Sequence, residues 1–93
     1  MTVEFKESFV QRFERQLRFI ADDSPINARK FKTDLLKHIK SLTDAPLKCR
    51  KSIYFNDDTM RDLVYKGYTI VYRIHHDKIE VFGFTKYQQA PLD

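Results

Sequence analysis

Three groups of side chains in this 93-residue chain could do chemistry. Cys49 lies among Lys48, Arg50 and Lys51. A thiolate nucleophile needs electropositive surroundings, and these cations are the local ones the sequence supplies; an incidental cysteine is the competing reading. His75-His76-Asp77 offers metal-binding side chains, but neighbours in a turn should diverge, and no second cluster has ligand spacing, so neither a metal nor another cofactor is expected. His38 falls within an apolar helical stripe, which suits a packed, hydrogen-bonded residue at the core edge better than a base. Gly67 and Gly83 are the only glycines, which excludes a Gly-rich phosphate loop.

Charge suggests binding more than chemistry. The net charge is +4, and residues 29–51 hold eight Lys or Arg against Asp34 and Asp44. Arg29, Lys30, Lys37 and Lys40 lie off the apolar stripe of their helix, as a basic surface. Such a surface suits an acidic partner, nucleic acid or an acidic protein segment; a plain solvated helix face is the alternative. One cysteine cannot make an internal disulfide, which fits a reducing compartment. No apolar run approaches the roughly 20 residues of a membrane-spanning helix, and MTVEFKESF lacks the apolar core of a signal peptide. A cytoplasmic protein with no membrane partner is expected.

The elements that must position these residues follow from periodicity. The length allows one core, and hence a single domain over residues 1–93. Thr2 to Phe5 alternates as a short edge strand, with Val3 and Phe5 on one face. Ser8 and Gln11 have capping-box spacing at the start of a helix reaching about Ala21, with Phe9, Phe13, Leu17 and Ile20 on its apolar stripe. Ser24-Pro25 starts a second helix to about Leu42, with Phe31, Leu35, Ile39 and Leu42 as its stripe. Together they form an antiparallel helical hairpin. Ile53 to Phe55 reads as a short extended segment, and Asn56-Asp57-Asp58 as a turn.

Met60 to Phe84 reads as three strands joined by turns at Lys66-Gly67 and His75 to Lys78, a β-meander. The fold class is therefore α+β, in the order β-α-α-β-β-β, with the hairpin packed on one face of the meander. Pairing the strands assigns Leu63, Tyr65, Tyr68, Ile70, Tyr72, Ile74, Ile79 and Val81 to the helix face, with Ile70 opposite Gly83. The other face carries Met60, Asp62, Val64, Thr69, Val71, Arg73, Glu80, Phe82 and Phe84. Arg73 stands opposite Glu80, as in a cross-strand ion pair. Met60, Val64, Val71, Phe82 and Phe84 around that pair make an apolar surface suited to a protein partner, unless the first strand or the C-terminal tail folds over it.

The run from Met60 to Ile74, with its Leu-Val strand, Gly-Tyr turn and Ile-Val-Tyr-Arg strand, resembles the RelE/ParE superfamily of bacterial type II toxins, and Ile79 to Phe84 continues as that family's final strand. The resemblance extends over essentially the whole chain. It implies a growth-arresting toxin held inactive in a hetero-oligomer with a cognate antitoxin. In the RelE branch, basic strand residues cleave messenger RNA on the ribosome, by activating a 2′-hydroxyl and stabilising a phosphorane. Met60, Asp62 and Thr69 occupy the matching positions here, and none is a cation. An RNase of that branch would have to use Lys48, Arg50, Lys51, Arg61, Lys86 and Tyr87. The Arg61-Asp62-Leu63-Val64 strand resembles instead the ParE branch, whose members inhibit DNA gyrase without a recognised catalytic residue. The resemblance thus implies a gyrase inhibitor; a ribosome-dependent endoribonuclease, or a decayed toxin that only binds antitoxin, are the alternatives.

Overall fold

A computed structural model describes residues 1–86. Strand β1 (Thr2–Phe5) leads into α1 (Glu7–Asp23) and α2 (Pro25–Lys40), followed by a 3-10 turn (Ser41–Thr43). The chain then forms β2 (Arg50–Lys51), β3 (Met60–Tyr65), β4 (Tyr68–His75) and β5 (Lys78–Lys86). The α+β order is as expected from the sequence, with the two-residue β2 added. The strands form one sheet in the order β1-β5-β4-β3-β2, and only the β1–β5 pairing is parallel. The expected meander is therefore its centre, with a short strand on each side.

The hairpin forms where side-chain spacing dictates. Ser24 caps α2 by accepting the Asn27 N–H at 3.2 Å, and Pro25 follows in the first turn, where its missing N–H costs nothing. Phe9 and Phe13 of α1, and Phe31, Leu35 and Ile39 of α2, are buried against Leu63, Ile70, Tyr72, Ile79 and Val81 of the sheet. Leu17 and Ile20 pack at the edge of this core, whereas Phe19 points out and is 70% exposed. The β3–β4 turn needs Lys66 at φ 48° and Gly67 at φ 84°, the left-handed pair of a two-residue hairpin.

Three expectations change. Ser8 does not cap α1: the cap position is Lys6, and the Ser8 hydroxyl donates to the Phe82 carbonyl at 2.6 Å, leaving Gln11 to bond Glu7. Residues 53–55 are not extended in a sheet. They belong to a strap, residues 52–59, that crosses the second face of the sheet, with the Phe55 ring 6.0 Å from Phe82 on β5. Finally, β5 carries a bulge. Tyr72 pairs with Val81 as expected, but Val71 pairs with Gly83 and Ile70 with Phe84, so Phe82 is the extra residue.

Candidate protein-docking face

The bulge changes which side chains reach the second face. Beyond it the alternation of β5 inverts relative to β4, and Phe84 turns to the helix side. There it lies 5.2 Å from Tyr68, 5.6 Å from Phe13 and 5.9 Å from Phe9 in a cluster of rings. Its assignment to the outer face is thus corrected. Gly83 permits the geometry, because a Cβ there would meet the Val71 Cβ at 2.9 Å.

Among the described residues the strap, and not the first strand, supplies the cover for the second face; the C-terminal tail, residues 87–93, lies outside the described residues. Met60 and Val71, read from the sequence as partner-facing, are buried. The Ser52 N–H donates to the Met60 carbonyl at 2.8 Å, and the Ile53 N–H donates to Asp62 Oδ2 at 3.0 Å. Arg50 reaches the same carboxylate oxygen at 3.3 Å. Asp62 therefore anchors the strap from a fully buried position. Its Oδ1 and the Thr69 hydroxyl have no hydrogen-bond partner among the described residues. Sequence reading missed this role. The available signal was an acid between Met60 and Val64 on one face of its strand, which burial requires to be paired.

What the strap leaves outward is itself apolar. Ile53, Tyr54, Phe55 and Val64 are exposed, and Phe82 is half-buried beside them. At the rim, Arg73 donates twice to Glu80 Oε1, at 2.8 and 3.0 Å, and Lys6 lies 3.6 Å from Glu80 Oε2. The Arg73 hydrogen bonds hold the Glu80 carboxyl below its usual range against the opposing effect of burial. Arg73, Glu80 and Lys6, with Met60 and Phe82, line a hollow of about 280 Å³. The face thus combines an exposed aromatic ridge with a charged hollow, the composition of a protein contact.

The cations proposed for RNA cleavage are each taken up locally, Lys51 and Arg61 facing each other across β2 and β3 and Lys86 standing apart. Lys48 donates to Ser41 Oγ at 3.0 Å, Arg50 is committed to Asp62, and Lys51 pairs with Asp58 at 3.1 Å. Arg61 donates to the carbonyls of Cys49 and Asp58, at 3.1 and 3.2 Å. Lys86 stands opposite Tyr68, while Arg61 stands opposite Tyr72, a separation of roughly 13 Å along β4. Tyr87 lies outside the described residues.

The remaining candidates are dispersed. Arg29, Lys30, Lys37 and Lys40 are exposed on α2. His38 bonds the Asp34 carbonyl at 2.8 Å and packs against the Tyr65 ring at 4.7 Å, although it is more exposed than a core-edge position implies. Cys49 is half-buried beside Tyr72, whose hydroxyl donates to the Pro46 carbonyl at 2.8 Å. Burial, and next the hydrogen bond with Cys49, push the Tyr72 phenol up. The His75 and His76 rings lie 4.2 Å apart instead of diverging. Among the described residues, no three His, Cys, Asp or Glu side chains are grouped to hold a metal ion, and no helix is long and apolar enough to cross a membrane.

Fold and face together define a small basic α+β domain with an exposed apolar face. A family model described as the ParE toxin of the type II toxin-antitoxin system parDE matches residues 3–90, and the chain belongs to that family. Membership implies a cognate antitoxin as partner. No curated protein matches the chain.

Proposed function

We propose that this toxin arrests growth in the cytoplasm by binding DNA gyrase, not by cutting RNA, and that its antitoxin neutralises it on the aromatic ridge. The observation that carries the reading is that Lys48, Arg50, Lys51 and Arg61 are each engaged by a hydroxyl, carboxylate or carbonyl of the protein itself, and that Lys86 is a strand's length from Arg61. Phosphorane stabilisation needs cations free to surround one phosphate, whereas Arg50, Lys51 and Arg61, neighbours across β2 and β3, are turned to Asp62, Asp58 and the Cys49 carbonyl. Binding needs none. Exposed Ile53, Tyr54, Phe55 and Val64 supply the apolar anchors that a partner requires, in place of the covered Met60 and Val71.

Purified protein added to a gyrase supercoiling reaction tests the reading, in parallel with mapping messenger RNA ends after brief induction. Inhibited supercoiling with intact messages supports it. Messages cut within codons, with gyrase unaffected, would sink it in favour of ribosome-dependent cleavage.

A further inference from the structure

Cations beside the sheet and cations on α2 differ in what they meet. Lys6, Arg50, Lys51, Arg73 and Lys78, on or next to the sheet, are each paired with a carboxylate. Arg29, Lys30, Lys37 and Lys40 on α2 are exposed, and no ion pair among the described residues involves them. Helical geometry puts these four within an arc of about 100° and over a length of about 17 Å. The middle of the arc is opposite the buried stripe of Phe31, Leu35 and Ile39, so the cations stand on the outermost line of the helix. Ile26 and Thr33 share the arc, and no acid of α2 falls within it.

Helix stability does not account for all four. Lys37 and Lys40 stand in the last turn, where cations favour the helix dipole. Arg29 and Lys30 stand nearer the other end, and the first turn holds no acid to offset them. A protein segment is the poorer match, because lysine is depleted in protein interfaces and three of the four are lysines. Single-stranded nucleic acid is bound by stacking on aromatic rings, and the arc carries none. Duplex phosphates ask only for spaced point charges, which lysine supplies. The major groove of B-form DNA, about 12 Å wide, admits a helix, whereas that of an RNA duplex is deep and narrow.

We propose that α2 lays this arc against the phosphates of double-stranded DNA without reading its bases. Arg29 and Lys30 meet phosphates at one end of the contact, and Lys37 and Lys40, about two turns on, meet them at the other. Ile26 and Thr33 beside them offer no bidentate group to a base edge. The contact stands apart from the gyrase reading, because it needs a duplex and no enzyme.

The probe is a short fluorescein-labelled DNA duplex of mixed sequence, titrated with the full chain at several salt concentrations and followed by fluorescence anisotropy. Neutralising four phosphates gives a slope of log K against log salt of about −3.6, an affinity loss of about 150-fold between about 50 and 200 mM salt. Arg29→Gln, Lys30→Gln, Lys37→Gln and Lys40→Gln together should bring the slope near zero and remove binding at low salt. Arg12→Gln, Arg15→Gln and Arg18→Gln together, which take three exposed cations from α1, should leave the slope unchanged. If the quadruple variant loses its fold by circular dichroism, Arg29→Gln with Lys30→Gln, and Lys37→Gln with Lys40→Gln, should each halve the slope. The proposal is overturned by no binding at low salt, by a slope that the α1 variant lowers as much as the α2 variant, or by a strong preference for one base sequence. Tighter binding of an RNA duplex, a single-stranded oligonucleotide or a polyglutamate of equal charge also overturns it. Gyrase inhibition is scored separately, with the quadruple variant beside the native chain, so either reading can fail alone.

Discussion

Ser8 and Phe82 are tied by a 2.6 Å hydrogen bond across 74 residues of sequence, from the first turn of α1 to the bulge in β5. The hydroxyl satisfies a carbonyl at the bulge and fixes where the helix sets out over the sheet. Ser8→Ala should therefore destabilise the protein by about 1 kcal/mol, the usual value of one hydrogen bond. Urea unfolding measures it, and an unchanged midpoint would mean that solvent replaces the hydroxyl without loss.

The bulge depends on Gly83. Gly83→Ala places a methyl group 2.9 Å from the Val71 Cβ, and the collision should cost about 1–3 kcal/mol. Adding Val71→Ala should recover part of that loss, which a double-mutant cycle detects as coupling between the two positions. Strict additivity would contradict the contact.

Phe82 and Phe84 should respond differently although they are two residues apart. Phe84 is buried among Phe9, Phe13 and Tyr68, so Phe84→Ala should cost about 3–5 kcal/mol. Phe82→Ala, at a half-buried position, should cost much less. Thermal melts of the two variants test the inverted alternation directly; similar losses would contradict it.

Asp62 holds the strap through Ile53 and Arg50. Asp62→Ala should release it, with a loss of about 1–3 kcal/mol from the partners left unpaired and faster proteolysis within residues 52–59. Binding of a hydrophobic dye should rise as Met60 and Val71 become accessible. A protease-resistant strap in this variant would show that Ser52 and Phe55 hold it unaided.

Acid should weaken the fold through Glu80. Its carboxyl titrates lower in the native state than unfolded, chiefly because of the Arg73 hydrogen bonds. The unfolded chain therefore takes up the proton first. The stabilisation is present above the ordinary glutamate value, about 4.3, and is lost as pH falls through the lowered native value. Glu4 shifts the same way through Lys78 and Lys6, and Asp57 through Thr59. Arg73→Ala should flatten the acid limb of the stability curve in part, leaving the contributions of Glu4 and Asp57. An unaltered limb would remove Glu80 as a contributor.

Residues with local causes were legible in the sequence. The stripe of Phe31, Leu35, Ile39 and Leu42, the Ser24-Pro25 start and the Lys66-Gly67 turn each follow from spacing or backbone preference, and Tyr72 opposite Val81 follows from the turn beyond them. Phe84 was misplaced because a bulge is decided by what meets across the strands, here Gly83 against Val71, and leaves no mark in alternation. Ile53-Tyr54-Phe55 has strand composition, but Asp62 accepts its first N–H and turns it into a cover. Ser8 has the spacing of a capping residue and is drawn instead to a distant carbonyl. In each case a non-local hydrogen bond or contact outweighed the local preference.

The parallel pairing of Thr2–Phe5 with Lys78–Val81 affects how the protein emerges during synthesis. Within this sheet β1 is made first and must wait, unpaired, for β5, which fills the place between β1 and β4. Both helices are made long before the surface that buries their apolar stripes. A nascent chain short of β5 thus lacks the strand that binds β1 to the rest of the sheet, and the exposed apolar face lacks Phe82 and the Arg73–Glu80 pair until that strand is in place. The face is completed only when β5 enters the sheet.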